Sequence, residues 1–201
     1  MARLADADRP GRPATGRQVN GEPAASQRLF FGLWPDEPLR QAIHAAVKPW
    51  LSGLDARPVP VHNYHLTLAY LGDVEPARVP AIEQAAAAID WSAFELVLDR
   101  PGHWRRAGVV WLAPAEVPPA LSALVDGLWH ALEPLGFARD ARAFAPHLTL
   151  ARKLRRRPPP ATVEPLHWPV SRFALFESCA VPGGVEYRVV KQFRAGSRPE
   201  P

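Results

Sequence analysis

Cysteine is nearly absent from this 201-residue chain, where Cys179 is the only one. A single thiol excludes an internal disulfide framework and any cysteine-based zinc cluster, and it fits a reducing, cytoplasmic setting. Long apolar runs are missing too. None approaches the ~20 residues of a membrane-spanning helix. Residues 1–27 lack the apolar segment of a secretory signal, and Asp6, Asp8 and Glu22 argue against an Arg-rich transit peptide. With almost no large hydrophobes, that stretch is expected to be a disordered tail. Seven histidines are present, but no HExxH or similar spacing occurs, so neither a metal nor a cofactor is expected.

Proline, by contrast, is abundant: 24 residues, about twice the usual share, which stiffens loops and gives helices hard stops. An apolar fraction of 47% supports a globular core, and 201 residues is enough chain to bury one. The formal charge is +4 and the pI about 9.7. The excess is clumped at Arg152, Lys153, Arg155, Arg156 and Arg157. On charge pattern alone this is a solvated basic loop or a surface for a polyanion.

Ordered structure is expected from Arg28 to Arg194, followed by a loose tail at 195–201. RLFFGLW (28–34) reads as a buried strand. Asp36 then caps a helix with Pro38 in its first turn, and Leu39, Ile43, Val47 and Trp50 form an apolar stripe interrupted by Pro49. NYHLTLAYL (63–71) alternates like a strand, and Pro76 opens a second helix with Val79, Ile82, Ala86 and Ile89 on one side. FELVLD (94–99) and GVVWLA (108–113) read as two strands joined by a loop. Pro118 and Pro119 start a third helix, where Leu121, Leu124, Leu128, Leu132 and Leu135 keep the period until Gly136. HLTLA (147–151) leads into a Pro- and Arg-rich connection and two closing strands, 172–177 and 185–193. Strands adjacent in sequence without an intervening helix favour α+β with antiparallel pairing.

One block occurs twice. HLTLAY at 65–70 returns as HLTLAR at 147–152, once in each half. Two pseudo-symmetric lobes follow, each with antiparallel sheet, outer helices and one such strand facing a central groove. On a strand, alternate side chains share a face, so His65 and Thr67 point one way while Leu66 and Leu68 point into the core. His147 and Thr149 repeat this. Paired imidazoles titrating near neutrality can hold one proton between them, which supplies a general acid and a general base together. Two hydroxyls can hold the oxygens of an anion. In-line displacement at phosphorus needs these parts and requires no metal.

These paired HxTx motifs closely resemble the 2H phosphoesterase superfamily, and more narrowly its RNA 2′,3′-cyclic phosphodiesterases, formerly called 2′-5′ RNA ligases. The resemblance also rests on RLFFGLWPDE (28–37), VVWLAP (109–114), PHLTLAR (146–152) and YRVVKQF (187–193). It implies a bilobal fold with a central groove and hydrolysis of a terminal 2′,3′-cyclic phosphate to a 2′-phosphomonoester, with weak reverse 2′-5′ ligation in some members. It implies His65 as proton donor, His147 as acceptor, and Thr67 and Thr149 as phosphate ligands. Tyr70 stands where the family places an aromatic that stacks a base, and Arg152 where it places a phosphate-binding Arg. Each lies five residues after its histidine, an odd offset that regular alternation turns away from the imidazole. Arg142 either supports the site or only pairs with Asp140. His62 is taken to line the groove, and His44, His103, His130 and His167 to be structural or solvated, the last of them and His103 in loops. Cys179 is expected to be a small buried residue.

The implied partner is RNA or a nucleotide ending in a 2′,3′-cyclic phosphate, bound by a monomer. Rival readings are another phosphodiesterase of the same superfamily, acting on 2′-5′ oligonucleotides or cyclic nucleotides, and an RNA-binding module with an inactive site. The 27-residue N-terminal extension and the unusually basic, aromatic stretch RPGHWRRAGV (100–109) depart from the family pattern.

Overall fold

A computed structural model describes residues 26–196. The expected tail at 1–27 lies almost wholly outside the described residues, as does 197–201. Ala195, expected to begin a loose tail, instead donates its N–H to Ser171 O at 3.0 Å and packs against the core.

The fold is mixed α+β, with three α-helices and antiparallel sheets. In chain order the strands are β1 (Gln27–Leu33), β2 (Arg57–Pro58), β3 (Leu66–Val74), β4 (Phe94–Leu98), β5 (Arg100–Trp104), β6 (Val109–Ala113), β7 (Leu148–Arg152), β8 (Leu166–Val170), β9 (Arg172–Val181) and β10 (Gly184–Arg194). The helices are α1 (Glu37–Leu51), α2 (Val79–Ala87) and α3 (Pro119–Leu132). One eight-stranded sheet runs β10-β9-β1-β3-β7-β6-β5, with β2 alongside β7, while β4 and β8 form a separate pair. β3 and β7, the strands that carry the repeated block, meet at a single cross-strand pair, Leu66 with Leu148.

Helix boundaries follow local chemistry. The Asp36 carboxylate accepts from Leu39 N–H at 3.0 Å and caps α1. Pro49 does not end this helix, which runs on to Leu51. It falls in the last turn, where one backbone bond is lost, and Ser52 closes the end with both N–H and Oγ on Lys48 O. Helix α3 stops at Leu132, and Leu135 belongs to a following 3₁₀ turn ended by Gly136 in the left-handed region (φ 81°).

Three strands escape the sequence pattern, the two-residue β2 and the longer β5 and β8. Residues 100–104, expected as part of a loop, form β5, and β6 pairs with it rather than with β4. This strand reads poorly because Pro101-Gly102 sits in its middle. Gly102 is there for space: a Cβ would come within 2.3 Å of the Trp111 ring. In the Pro-rich connection, LHWPV forms β8 against β4, with Pro169 opposite Glu95. A two-stranded sheet leaves each strand one open edge, where a missing N–H is tolerated. His103 and His167 therefore lie on strands, and His167 Nδ1 is 3.2 Å from Glu95 Oε1. Cys179, on β9, is only partly buried.

The two faces of the large sheet differ. Leu29, Phe31, Leu33, Leu66, Leu148 and Leu150 join Ile43, Val47, Ile82, Leu124 and Leu128 of the helices in one main core. The opposite face carries a small separate cluster of Phe30, Ala174 and Phe176, flanked by Trp34 and Tyr187. No helix of the described residues is long and apolar enough to cross a membrane.

Candidate active site

The two repeated blocks sit at the junction of the sheet halves. Leu66 and Leu148 pair antiparallel and both are fully buried. That register places His65 opposite Thr149 and Thr67 opposite His147, so the two motifs relate by a local two-fold through the leucine pair. All four polar residues lie on the face away from the main core.

Each histidine is held the same way. His65 Nδ1 lies 2.7 Å from Asn63 O, and His147 Nδ1 lies 2.8 Å from Ala145 O. A carbonyl oxygen can only accept, so Nδ1–H donates in both rings and Nε2 is left for chemistry. The surroundings differ. Phe30 and Tyr187 stand 5.0 and 4.6 Å from the His65 ring, centroid to centroid. Among the described residues the one ring packed on His147 is Trp104, edge to face at 4.5 Å, and Trp104 in turn lies 5.5 Å from Trp111. Burial under its aromatic neighbours pushes the His65 pKa down to about 4, and the charges of Arg152 and His147 act in the same direction. The bond to Asn63 O opposes this. His147 is also lowered, by burial first and then by Arg152, against the bond to Ala145 O. Burial thus favours the neutral form of both rings.

Tyr70 and Arg152 return to the histidine face through a shared irregularity. In β3, Thr67 pairs with Gly32 and Ala69 with Phe31, leaving Leu68 unmatched. In β7, Thr149 pairs with Trp111 and Ala151 with Val110, leaving Leu150 unmatched. Each is a β-bulge at the same motif position, with two consecutive side chains buried: Leu68 and Ala69, then Leu150 and Ala151. A one-residue insertion inverts the alternation beyond it. Tyr70 thus pairs with Phe30, the residue packed on His65, and is 57% exposed. Arg152 is exposed, and its charge reaches His65, His147 and Tyr187. The expectation that an odd offset faces away fails because the strand is not regular.

Thr67 is partly buried and Thr149 is 8% exposed. Arg142 is occupied with Asp140 through its backbone N–H, Nε and Nη2, so of the two alternatives the local pair holds. His62 is exposed. Sequence reasoning missed Phe30, Tyr187 and Asn63, whose Nδ2 donates to Val185 O at 2.7 Å. Tyr187 lies 122 residues from His65 on a distant strand, and no local spacing announces it. Trp104 lay in the stretch noted as unusually aromatic.

Among the described residues, no three His, Cys, Asp or Glu side chains are grouped so as to hold a metal ion. A cavity of about 500 Å³ is lined by Trp34, Asp36, His167, Trp168 and Arg172, among others, and contains no motif residue. Its one carboxylate already caps α1, so the doubled motif is the stronger candidate for chemistry.

An antiparallel α+β scaffold that presents two matched His-Thr strands on one open face defines a class. The chain belongs to the 2′-5′ RNA ligase superfamily, whose family model matches residues 35–179. It is 35% identical over 175 residues to the RNA 2′,3′-cyclic phosphodiesterase of Escherichia coli (strain K12), covering 83% of this chain and 96% of that protein. It is 34% identical over 184 residues to the Thermus thermophilus protein of the same name, covering 83% and 89%. The crystal structure of E. coli LigT complexed with 3′-AMP is similar at a TM-score of 0.81 and 30% identity, covering 86% of this chain and 99% of that one.

Proposed function

We propose that this protein opens a terminal 2′,3′-cyclic phosphate of RNA to the 2′-phosphomonoester, without a metal or cofactor. The observation that carries this reading is the pair of imidazoles, each tied through Nδ1 and each presenting Nε2 on the open face beside a threonine. Relatedness to RNA 2′,3′-cyclic phosphodiesterases supports the substrate class. Residues 28–194 act as one unit with two pseudo-symmetric lobes, and the open face is the groove between them. A monomer working in the cytoplasm suffices, because both motifs come from one chain.

His147 Nε2 takes a proton from water as its oxygen attacks phosphorus. The P–O3′ bond breaks in line, and His65 Nε2–H delivers a proton to O3′. The products are a 2′-phosphate and a free 3′-hydroxyl, and the proton gained by His147 restores His65 through solvent. With an RNA 5′-hydroxyl attacking phosphorus in place of water, the P–O3′ bond breaks in the same way and the two ends are joined weakly through a 2′-5′ linkage. Thr67 and Thr149 donate to the non-bridging oxygens, Arg152 balances their charge, and Tyr70 offers a stacking surface for a base. The acid must carry a proton, yet burial lowers His65 to about 4. The anionic phosphate itself resolves this, since a negative charge beside the imidazole stabilises its protonated form.

Product analysis in EDTA is the test, on cyclic-phosphate RNA, 2′-5′ oligoadenylate and cyclic nucleotides. Cyclic-phosphate RNA should give the 2′-phosphate. His65→Ala and His147→Ala should each lower kcat by about 10²-fold or more with the thermal melt retained. Activity surviving both changes would remove the assignment, and loss in EDTA would refute a metal-free reaction.

A further inference from the structure

Beside the paired histidines and Arg152 stands a further positive side chain, Arg57, that the reaction itself does not use. Arg57 on β2 and Arg152 on β7 are direct antiparallel partners. Directly opposed residues share a face, so Arg57 projects from the same side as Arg152 and the catalytic rings. Like charges placed so are destabilising unless something negative lies between them. No carboxylate does. Arg28, Arg40, Arg139 and Arg142 each pair with an acid, whereas neither Arg57 nor Arg152 is in an ion pair among the described residues. Arg57 is also held in place, because its Nη2 donates to Gly183 O in the β9–β10 turn. A guanidinium has five N–H donors, so one anchoring bond sets its direction and leaves most of its fork free.

The chain beyond Arg152 extends the same field. Lys153 adopts φ 59°, the one left-handed non-glycine among the described residues. That turn lets Leu154 N–H reach Gly108 O at 3.0 Å and Arg155 N–H reach Asp55 O at 3.0 Å. The basic run is therefore pinned on both sides rather than loose, and strain held this way is often found at functional sites.

We propose that Arg57, with Arg152 beside it, forms a subsite for the phosphodiester on the 5′ side of the terminal nucleotide. The protein accordingly acts on RNA ends in preference to free cyclic mononucleotides. The inference rests on the phosphodiesterase reading above: Arg152 faces the reacting phosphate between the histidines, and Arg57 is one strand further out, where the next phosphate of a chain comes.

The experiment compares kcat/KM for four substrates: a nucleoside 2′,3′-cyclic phosphate, the same with a 5′-phosphate, a dinucleotide ending in the cyclic phosphate, and that dinucleotide with a neutral methylphosphonate linkage. Wild type should prefer the dinucleotide over the mononucleotide by about tenfold, the scale of a partly exposed charged hydrogen bond. The methylphosphonate should erase the gain. Arg57→Gln should lose the preference and treat both dinucleotides alike, and its log KM against log salt slope for the dinucleotide should fall by about 0.7. Arg57→Lys should keep part of the discrimination, which a purely structural role for the Gly183 bond does not predict. Equal use of phosphodiester and methylphosphonate by wild type would overturn the subsite, with no variant needed. An equal gain from the bare 5′-phosphate would overturn its assignment to an RNA linkage. Failure to open any substrate would defeat the underlying reading and this inference with it, whereas opening all four equally defeats the subsite alone.

Discussion

His65 carries the sharpest conflict between environment and role. Phe30 and Tyr187 strip water from the ring and hold its pKa near 4, below its ordinary 6.5. A general acid needs the opposite. A bound phosphate anion raises the value, so the complex holds more protons than the free protein at any pH between the two pKa values. By linkage, affinity for the anion is greatest at low pH and weakens as pH rises through the pKa of the complex. Below about 4 the free ring is already protonated and this dependence disappears. NMR titration of the His65 ring should show an upward shift when a non-hydrolysable dinucleotide phosphodiester is added. An unchanged titration would assign the acid elsewhere. Arg152 pushes both imidazoles downward, so Arg152→Ala should raise both pKa values while weakening phosphate binding.

At the scale of elements, the bulges at Leu68 and Leu150 give the alanine that ends the five-residue repeat its place in the core. Without the extra residue, Tyr70 and Arg152 would point into the core with the leucines. With it, both turn toward the histidines, and Ala69 and Ala151 fill the core in their stead. Strand β5 illustrates a different constraint. Gly102 lies under the Trp111 ring, and Trp111 is the cross-strand partner of Thr149. Gly102→Ala should therefore destabilise the protein by about 1–3 kcal/mol, read as a lower denaturant midpoint, since the ring has to shift to admit the methyl group. It should also reduce activity, because the displaced ring abuts the strand carrying Thr149. Full stability in that variant would show that Trp111 is free to move.

At the scale of the whole molecule, the two halves of the large sheet join through Leu66 and Leu148, while a shared core runs beneath both. Truncation there acts on stability and geometry together. Leu148→Ala should cost about 2–5 kcal/mol, measured by chemical denaturation, because both side chains of the pair are fully enclosed. The drop in kcat should exceed that of an equally destabilising change remote from the junction, such as Leu128→Ala in α3. Equal losses in the two variants would mean that the junction does not position the histidines.

Much of this was legible in the chain itself. Apolar periodicity placed three helices and most strands, because burial of one face imposes a repeat of 3.6 or 2 whatever the partner turns out to be. The repeated His-Leu-Thr-Leu-Ala marked both histidines and both threonines, since leucines bound for the core force the intervening residues onto the other face. The tertiary structure alone decided which residues surround them. Tyr187, Phe30 and Arg57 reach the site by long-range strand pairing, and a register is a property of two strands that neither one spells out. The same holds for the bulges and for β5. An extra residue in a ladder, or a glycine under an indole ring, acquires its meaning only from the neighbour opposite.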